Sequence, residues 1–304
     1  MKKITPLLCA ALCSVLFFAQ TSQAAKLALV LGNDKYRNVA ELKNAGADAK
    51  SMSTALERVG YQVNFKKDLD EKAMKAALRD FKEKVSGGDE VVIFYSGHGM
   101  QLAGSNYLLP VDIKGENEGQ VKDEAIPLQR ILEDMQEQKA KFTLAVIDAC
   151  RDNPFKTQGR AIGGKGLAPT TAASGQMVIY SAGSNQQALD RLPSDNAQQT
   201  NGVFTRVFLE EMRTPGMPID RVLKNVREKV VNLAKSVQHE QTPALYDQAV
   251  GEFYFYSATV GGGVVLPTQQ AAPAGADREV VFWESLKESP DAAGYELYLE
   301  KYPS

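Results

Sequence analysis

At 304 residues the chain has room for one large domain or two modest ones, and its 35 Lys and Arg are interspersed with 37 Asp and Glu. A formal net charge of -2 without a basic stripe excludes the electrostatic footprint of a nucleic-acid binder. Three Cys and two His exclude a cysteine-based zinc site, because Cys9 and Cys13 lie in a segment that reads as a leader.

In that leader, Lys2 and Lys3 precede an apolar stretch from Ile4 to Ala19, and Ser22-Gln23-Ala24 places small residues where a signal peptidase reads. The apolar stretch is short and a polar run follows it. Residues 1–24 are therefore expected to be a cleaved signal peptide rather than a membrane anchor. Loss of the two lysines takes the charge from -2 to -4. The expected location is secreted or periplasmic, with no membrane association after cleavage. The mature chain keeps Cys150 alone, so no internal disulfide can form, and that thiol is either inert and buried or free and reactive.

KLALVLG, Lys26 to Gly32, is a predicted buried strand. Ala45 to Val59 carries Ala49, Met52, Ala55, Leu56 and Val59 at helical spacing before Gly60. Tyr61 to Lys67 reads as a more exposed strand, and Asp70 to Val85 as an amphipathic helix with Met74, Ala77, Leu78 and Phe81 on one face. Next comes EVVIFYSGHGM, Glu90 to Met100, an apolar run that ends in Ser96, Gly97, His98 and Gly99. Gln101 to Pro110 reads as a hairpin turned at Gly104, and Lys114 to Glu124 as a solvated loop. Pro127 heads a further helix.

That helix leads to TLAVIDACR, Thr143 to Arg151, a second continuous apolar run ending in Asp148, Ala149 and Cys150. Asp152 to Gln176 has no period and is expected to be a long loop. A strand from Met177 to Gly183, helices from Val203 to Met212 and Ile219 to Ser236, and a last strand Glu252 to Tyr256 complete the order. His239, near the end of the last helix, reads as a solvated residue. Alternation of strand and helix predicts an α/β fold with a parallel sheet covered on both faces. Gly261 to Ala276 has linker composition. The domain reading is 26–257 for the main domain, 258–276 for the linker and 277–304 for a short helical segment.

His98 and Cys150, fifty-two positions apart, occupy equivalent places at the ends of two buried strands. In a parallel sheet those ends adjoin, at the edge where ligands bind. A buried structural cysteine or a hydrogen-bonded core histidine is the commoner fate of either residue alone. Together they fit a thiol nucleophile with a histidine base. A phosphatase-type C-x5-R would require Arg where Lys156 stands.

At YSGHG and DACRDNPF the sequence resembles the caspase-like cysteine peptidases, in particular their metacaspase, paracaspase and bacterial relatives. ALVLGNDKY, LKNAGADAKSM, YSAGSNQQALD and NGVFTRVFLEEM extend the resemblance over about Leu27 to Tyr256. It implies a mainly parallel six-stranded sheet between helices, His98 as base, Cys150 as nucleophile, and an oxyanion hole formed by the N–H groups of Gly99 and Cys150. It also implies a substrate pocket of Asp48, Ser96 and Asp148. Two carboxylates suit a guanidinium fork, so protein or peptide substrates with basic P1 are expected, Arg ahead of Lys.

Many metacaspases use calcium. Asp112, Glu116, Glu118, Asp123 and Glu124 supply charge in about that region without a clear match, and otherwise no cofactor or metal is expected. Lys156, Arg160 and Lys165 place basic residues in the loop after Cys150, which leaves two readings, self-cleavage after Arg160 or Lys165 and an uncut surface loop. The rival reading is a catalytically silent adaptor of the same fold. An intact Cys-His pair and an acidic pocket favour the enzyme.

Overall fold

A computed structural model describes residues 24–150, 155, 168–184 and 186–256. The expected leader (apart from residue 24), the linker, the C-terminal segment and the proposed cleavage positions Arg160 and Lys165 lie outside the described residues.

In chain order the elements are β1 (Lys26–Gly32), α1 (Ala45–Arg58), β2 (Gln62–Lys67), α2 (Glu71–Lys82), β3 (Glu90–Leu102), β4 (Ser105–Leu108) and α3 (Glu118–Glu124). They continue with β5 (Ile126–Pro127), α4 (Leu128–Glu137), β6 (Phe142–Cys150), β7 (Gln176–Tyr180), α5 (Val203–Glu211), α6 (Ile219–Ser236) and β8 (Ala244–Asp247). The main sheet runs β2-β1-β3-β6-β7-β8, parallel except for the final β7–β8 pair. This is the mainly parallel, helix-covered sheet that the sequence predicts.

Side-chain alternation divides each central strand between two cores. Val92 and Phe94 of β3 and Leu144 and Val146 of β6 pack toward α1, α5 and α6. Their neighbours Val91, Ile93 and Tyr95, with Ala145, Ile147 and Ala149, pack toward α2 and α4. Both faces are apolar, which is why the two strands read as unbroken hydrophobic runs. Asp70 is not in α2 but caps it, its side chain accepting the Ala73 amide at 2.8 Å. Beyond His98, β3 pairs with β4 through a two-residue turn in which both Ala103 and Gly104 have positive φ, as the predicted hairpin requires.

Two expectations are corrected. The sixth strand is Ala244–Asp247, whereas Glu252 to Tyr256 forms an isolated bridge between Tyr254 and Pro218. Phe253 and Phe255 belong to the core under α5 and α6, and Phe253 stacks on Phe142 at 3.9 Å. Burial, not ladder pairing, explains that aromatic alternation. The charged run 114–124 is also not all loop. Asn117 caps α3 by accepting the Gln120 amide, and Val121 is buried in a third core that includes Tyr36 and Phe155.

Candidate active site

Parallel pairing of β3 with β6 sets Ser96 opposite Asp148, Gly97 opposite Ala149 and His98 opposite Cys150. Neighbouring strands lie about 4.8 Å apart, so the backbones of His98 and Cys150 are one strand spacing from each other. The side chain of Cys150 lies outside the described residues.

His98 is 6% exposed and held from three directions. Its N–H donates to the Tyr36 hydroxyl at 2.8 Å, and its carbonyl accepts from the Tyr95 hydroxyl at 2.7 Å. The two phenol oxygens lie 3.2 Å apart. A Cβ on Gly97 would stand 2.6 Å from Tyr95 Oη and 2.8 Å from Tyr36 Oη, so glycine is required there to admit the tyrosines. On the ring, Nε2 lies 2.8 Å from the Ala40 carbonyl. A carbonyl only accepts, so this bond fixes the tautomer with the proton on Nε2 and leaves the neutral ring's lone pair on Nδ1. Ala40 sits in the loop between β1 and α1, whose shape is set by the Asp68 carboxylate accepting the amides of Asp34 and Lys35 at 2.8 and 2.9 Å.

Strand alternation carries Ser96 and Asp148 onto the face that meets α1 and α5. There they join Asp48 of α1 and Asp190 in a pocket completed by Leu42, Asn44 and Gly202 and partly open to solvent. Asp48, 3% exposed, accepts the Asn201 side-chain amide and the Gly202 N–H, both at 2.9 Å. Asp148 accepts the Thr205 hydroxyl at 2.6 Å. Both carboxylates therefore close on the N-terminus of α5. A Cβ on Gly202 would lie 3.4 Å from Asp48 Oδ2 and 3.9 Å from Asp148 Oδ2, so the two oxygens converge on one space.

Burial raises the pKa of both groups. Burial, reinforced by the Asp148 carboxylate, pushes Asp48 up to about 8, against the hydrogen bonds from Asn201 and Gly202. Asp148 keeps an edge toward the pocket, yet close packing around it pushes it up to about 6. The Thr205 hydroxyl opposes that rise, as does the Ser181 hydroxyl, which is buried beside the carboxylate but outside hydrogen-bond geometry. Asp190 lines the pocket but remains exposed; the part of it that is covered raises its carboxyl, with Lys43 opposing. Three carboxyl groups thus share a pocket in which, among the described residues, they have no cationic side chain as a close ion-pair partner.

The structure brings Asp48, Ser96 and Asp148 together, and it sets His98 beside Cys150 in register. Asp190, Asn201, Thr205, Tyr36, Tyr95 and the Ala40 carbonyl were not assigned site roles from sequence. The Asn-Gly before the apolar run VFTRVF is a helix-start signal that points to the second and third of these. The acidic residues considered for calcium do not converge. Asp112 accepts the Glu71 amide at 2.8 Å, and Glu124 accepts the Lys114 amide and the Gln120 side chain, each at 2.7 Å. Among the described residues no group of three or more His, Cys, Asp or Glu is arranged to hold a metal ion. His239 is half-buried, its Nε2 lying 2.9 Å from the Gln187 carbonyl.

Over 126 residues, 41% of the chain, the sequence is 29% identical to mucosa-associated lymphoid tissue lymphoma translocation protein 1 of Homo sapiens. Over the same length it is 28% identical to the homolog of that protein in Mus musculus. The matched region spans 15% of the length of each relative. The caspase-domain model of peptidase family C14 matches residues 25–254, which take in every described strand and helix. With the strand order and the paired strand ends, this match establishes that the chain belongs to the caspase-domain family of peptidases.

Proposed function

We propose that the protein is a cysteine endopeptidase that cuts after basic residues, Arg before Lys, with His98 as base and Cys150 as nucleophile. The observation that carries this reading is the gathering of Asp48, Asp148 and Asp190 in one pocket, with Asp148 two residues before Cys150 on β6. Carboxylates gathered without a cation are costly unless a ligand supplies the charge, and a guanidinium matches two of them with its fork.

In the reaction, His98 Nδ1 takes the Cys150 proton as sulfur adds to the scissile carbonyl, and the N–H groups of Gly99 and Cys150 receive the oxyanion. The imidazolium then protonates the leaving amine, which leaves a thioester. Water, deprotonated by His98, hydrolyses it, releasing the acid and regenerating the thiol. The Ala40 carbonyl steadies the imidazolium by accepting from Nε2 throughout. Arg160 and Lys165 are internal substrates of the same pocket, and the enzyme acts after export. The test is a P1-randomised fluorogenic peptide library with the wild type and Cys150→Ala. Cleavage confined to Arg and Lys, and absent in Cys150→Ala, is expected. Fastest cleavage after Asp or Leu, or equal turnover by the variant, would refute the proposal.

A further inference from the structure

One wall of the acidic pocket, through Ala188, Leu189 and Asp190, comes from the segment between β7 and α5, in which no described residue lies in a helix or strand. Irregular backbone needs other bonds to hold a shape. Several come from His239–Thr242, the stretch HEQT within the connection from α6 to β8, and Asn44 of the α1 cap also donates to the Asp190 carbonyl at 3.3 Å. Gln186 Oε1 accepts the Gly183 and Thr242 amides at 3.1 and 2.7 Å, and its Nε2 donates to Glu240 at 2.9 Å.

Among the side chains in this seam, Gln241 is the buried one, 2% exposed. Its Oε1 accepts the Leu189 N–H at 2.9 Å, and its Nε2 donates to the Ser181 carbonyl at 2.7 Å. Leu189 precedes Asp190, and its own carbonyl accepts from Val203 at the head of α5 at 3.0 Å. The Ser181 N–H donates to the carbonyl of Ile147, the residue before Asp148, at 3.0 Å. One carboxamide therefore joins the wall that carries Asp190 to the strand end that flanks Asp148. A buried amide satisfied at both ends allows little slack.

We propose that Gln241 is a positioning residue for substrate selection, which makes the pocket prefer a guanidinium over an ammonium at P1 by holding Asp190 at a set separation from Asp148. This rests on the pocket assignment above. A planar fork needs its two acceptors at fixed spacing and angle, whereas an ammonium is a point charge that tolerates their displacement. Loosening the wall should thus weaken Arg more than Lys. General destabilisation would weaken both alike.

The experiment measures binding of a P1-Arg peptide and its P1-Lys counterpart by calorimetry in the full chain carrying Cys150→Ala, with and without Gln241→Met. Methionine keeps the side chain's length and removes both hydrogen bonds. The Kd for the Arg peptide is expected to rise about tenfold and that for the Lys peptide less than about threefold. Should Gln241→Met fail to fold, Gln241→Glu, which keeps the acceptor for Leu189 and loses the donor to Ser181, is expected to narrow the Arg-to-Lys ratio in the same direction. Equal weakening of both peptides, an unchanged ratio, or equal binding of the two before substitution overturns the inference. Hydrolysis by the Cys150-bearing protein is read separately. If it cleaves neither peptide, the peptidase reading fails while the Kd ratio still decides on Gln241. If it cleaves after Arg and the ratio ignores Gln241→Met, the peptidase reading stands and the inference falls.

Discussion

The His98–Cys150 pair and the acidic pocket lie two residues apart along the same strands, yet they are built in opposite ways. The pair is a product of the ladder, because parallel register sets the two backbones side by side, and buried tyrosines grip both polar groups of the His98 peptide. The pocket joins Ser96 and Asp148 at the strand ends to residues of α1, the head of α5 and an irregular loop, three separate segments that meet over the ends of β3 and β6. The backbone polar groups of His98 are paired, whereas the carboxyl groups of the second are held together with no close ion pair among the described residues. On the proposed function, the pair is organised for chemistry before substrate arrives, and the pocket gathers carboxyl groups whose charge a basic side chain would balance. Damage to one should leave the properties of the other readable.

The largest expected effect breaks the pair and leaves the pocket. His98→Ala, like Cys150→Ala, should lower kcat by about 10³-fold or more, because the two act as a unit. Binding of a P1-Arg peptide, followed by calorimetry, should change little. Loss of both properties together would show that the two regions are not separable. Next in size is the converse. Asp148→Asn should cost a P1-Arg substrate about 3 to 5 kcal/mol in kcat/KM, since a desolvated guanidinium loses a partner, and cost a neutral P1 substrate far less. Asp48→Asn should act in the same direction. Parallel rate measurements on the two substrates check both variants.

A smaller effect, and a sharper one, is pH dependence. The ratio of kcat/KM for Arg over a neutral P1 cancels the titration of the catalytic pair. It should rise as the pocket loses its protons between about pH 6 and about pH 8. Stability should run the other way. Both carboxyls have folded pKa values above their unfolded ones, so the native state binds more protons than the unfolded state between about pH 4 and pH 8, and stability falls as pH rises through that window. Asp48→Asn keeps acceptors for Asn201 and Gly202 and removes the second buried charge. It should therefore raise stability by about 2 kcal/mol at pH 8.5 and by little at pH 4, as denaturant unfolding would show. Equal stabilisation at both pH values would mean that the pair does not repel.

The same contrast governs what the sequence discloses. β1, β3, β6 and β7 announce themselves, because a strand buried on both faces must be apolar without interruption, and the polar residues at its end then stand out. His98, Asp148 and Cys150 are legible for that reason. Asp48 follows only from the resemblance, since nothing in the periodicity of α1 distinguishes a carboxylate aimed at the sheet end from one in solvent. Asp190 and Gln241 sit in segments without period, where hydrogen bonds between distant stretches set the shape. The run EFYFY misleads because aromatic alternation is shared by strands and by irregular chain laid on a core, as Phe253 and Phe255 are. α3 hides within a charge run because Val121 alone of its residues is buried.

The central claim joins a reactive Cys150 to a pocket that selects Arg, and one labelling experiment reads both. Purified protein is treated with a peptidyl-arginyl chloromethyl ketone or with its aspartyl analogue, and the adduct is located by mass spectrometry of peptides. The account predicts an adduct on Cys150 with the arginyl reagent, slowed about 10²-fold or more by Asp148→Asn, and essentially none with the aspartyl reagent. An unlabelled Cys150, or faster labelling by the aspartyl reagent, would contradict it.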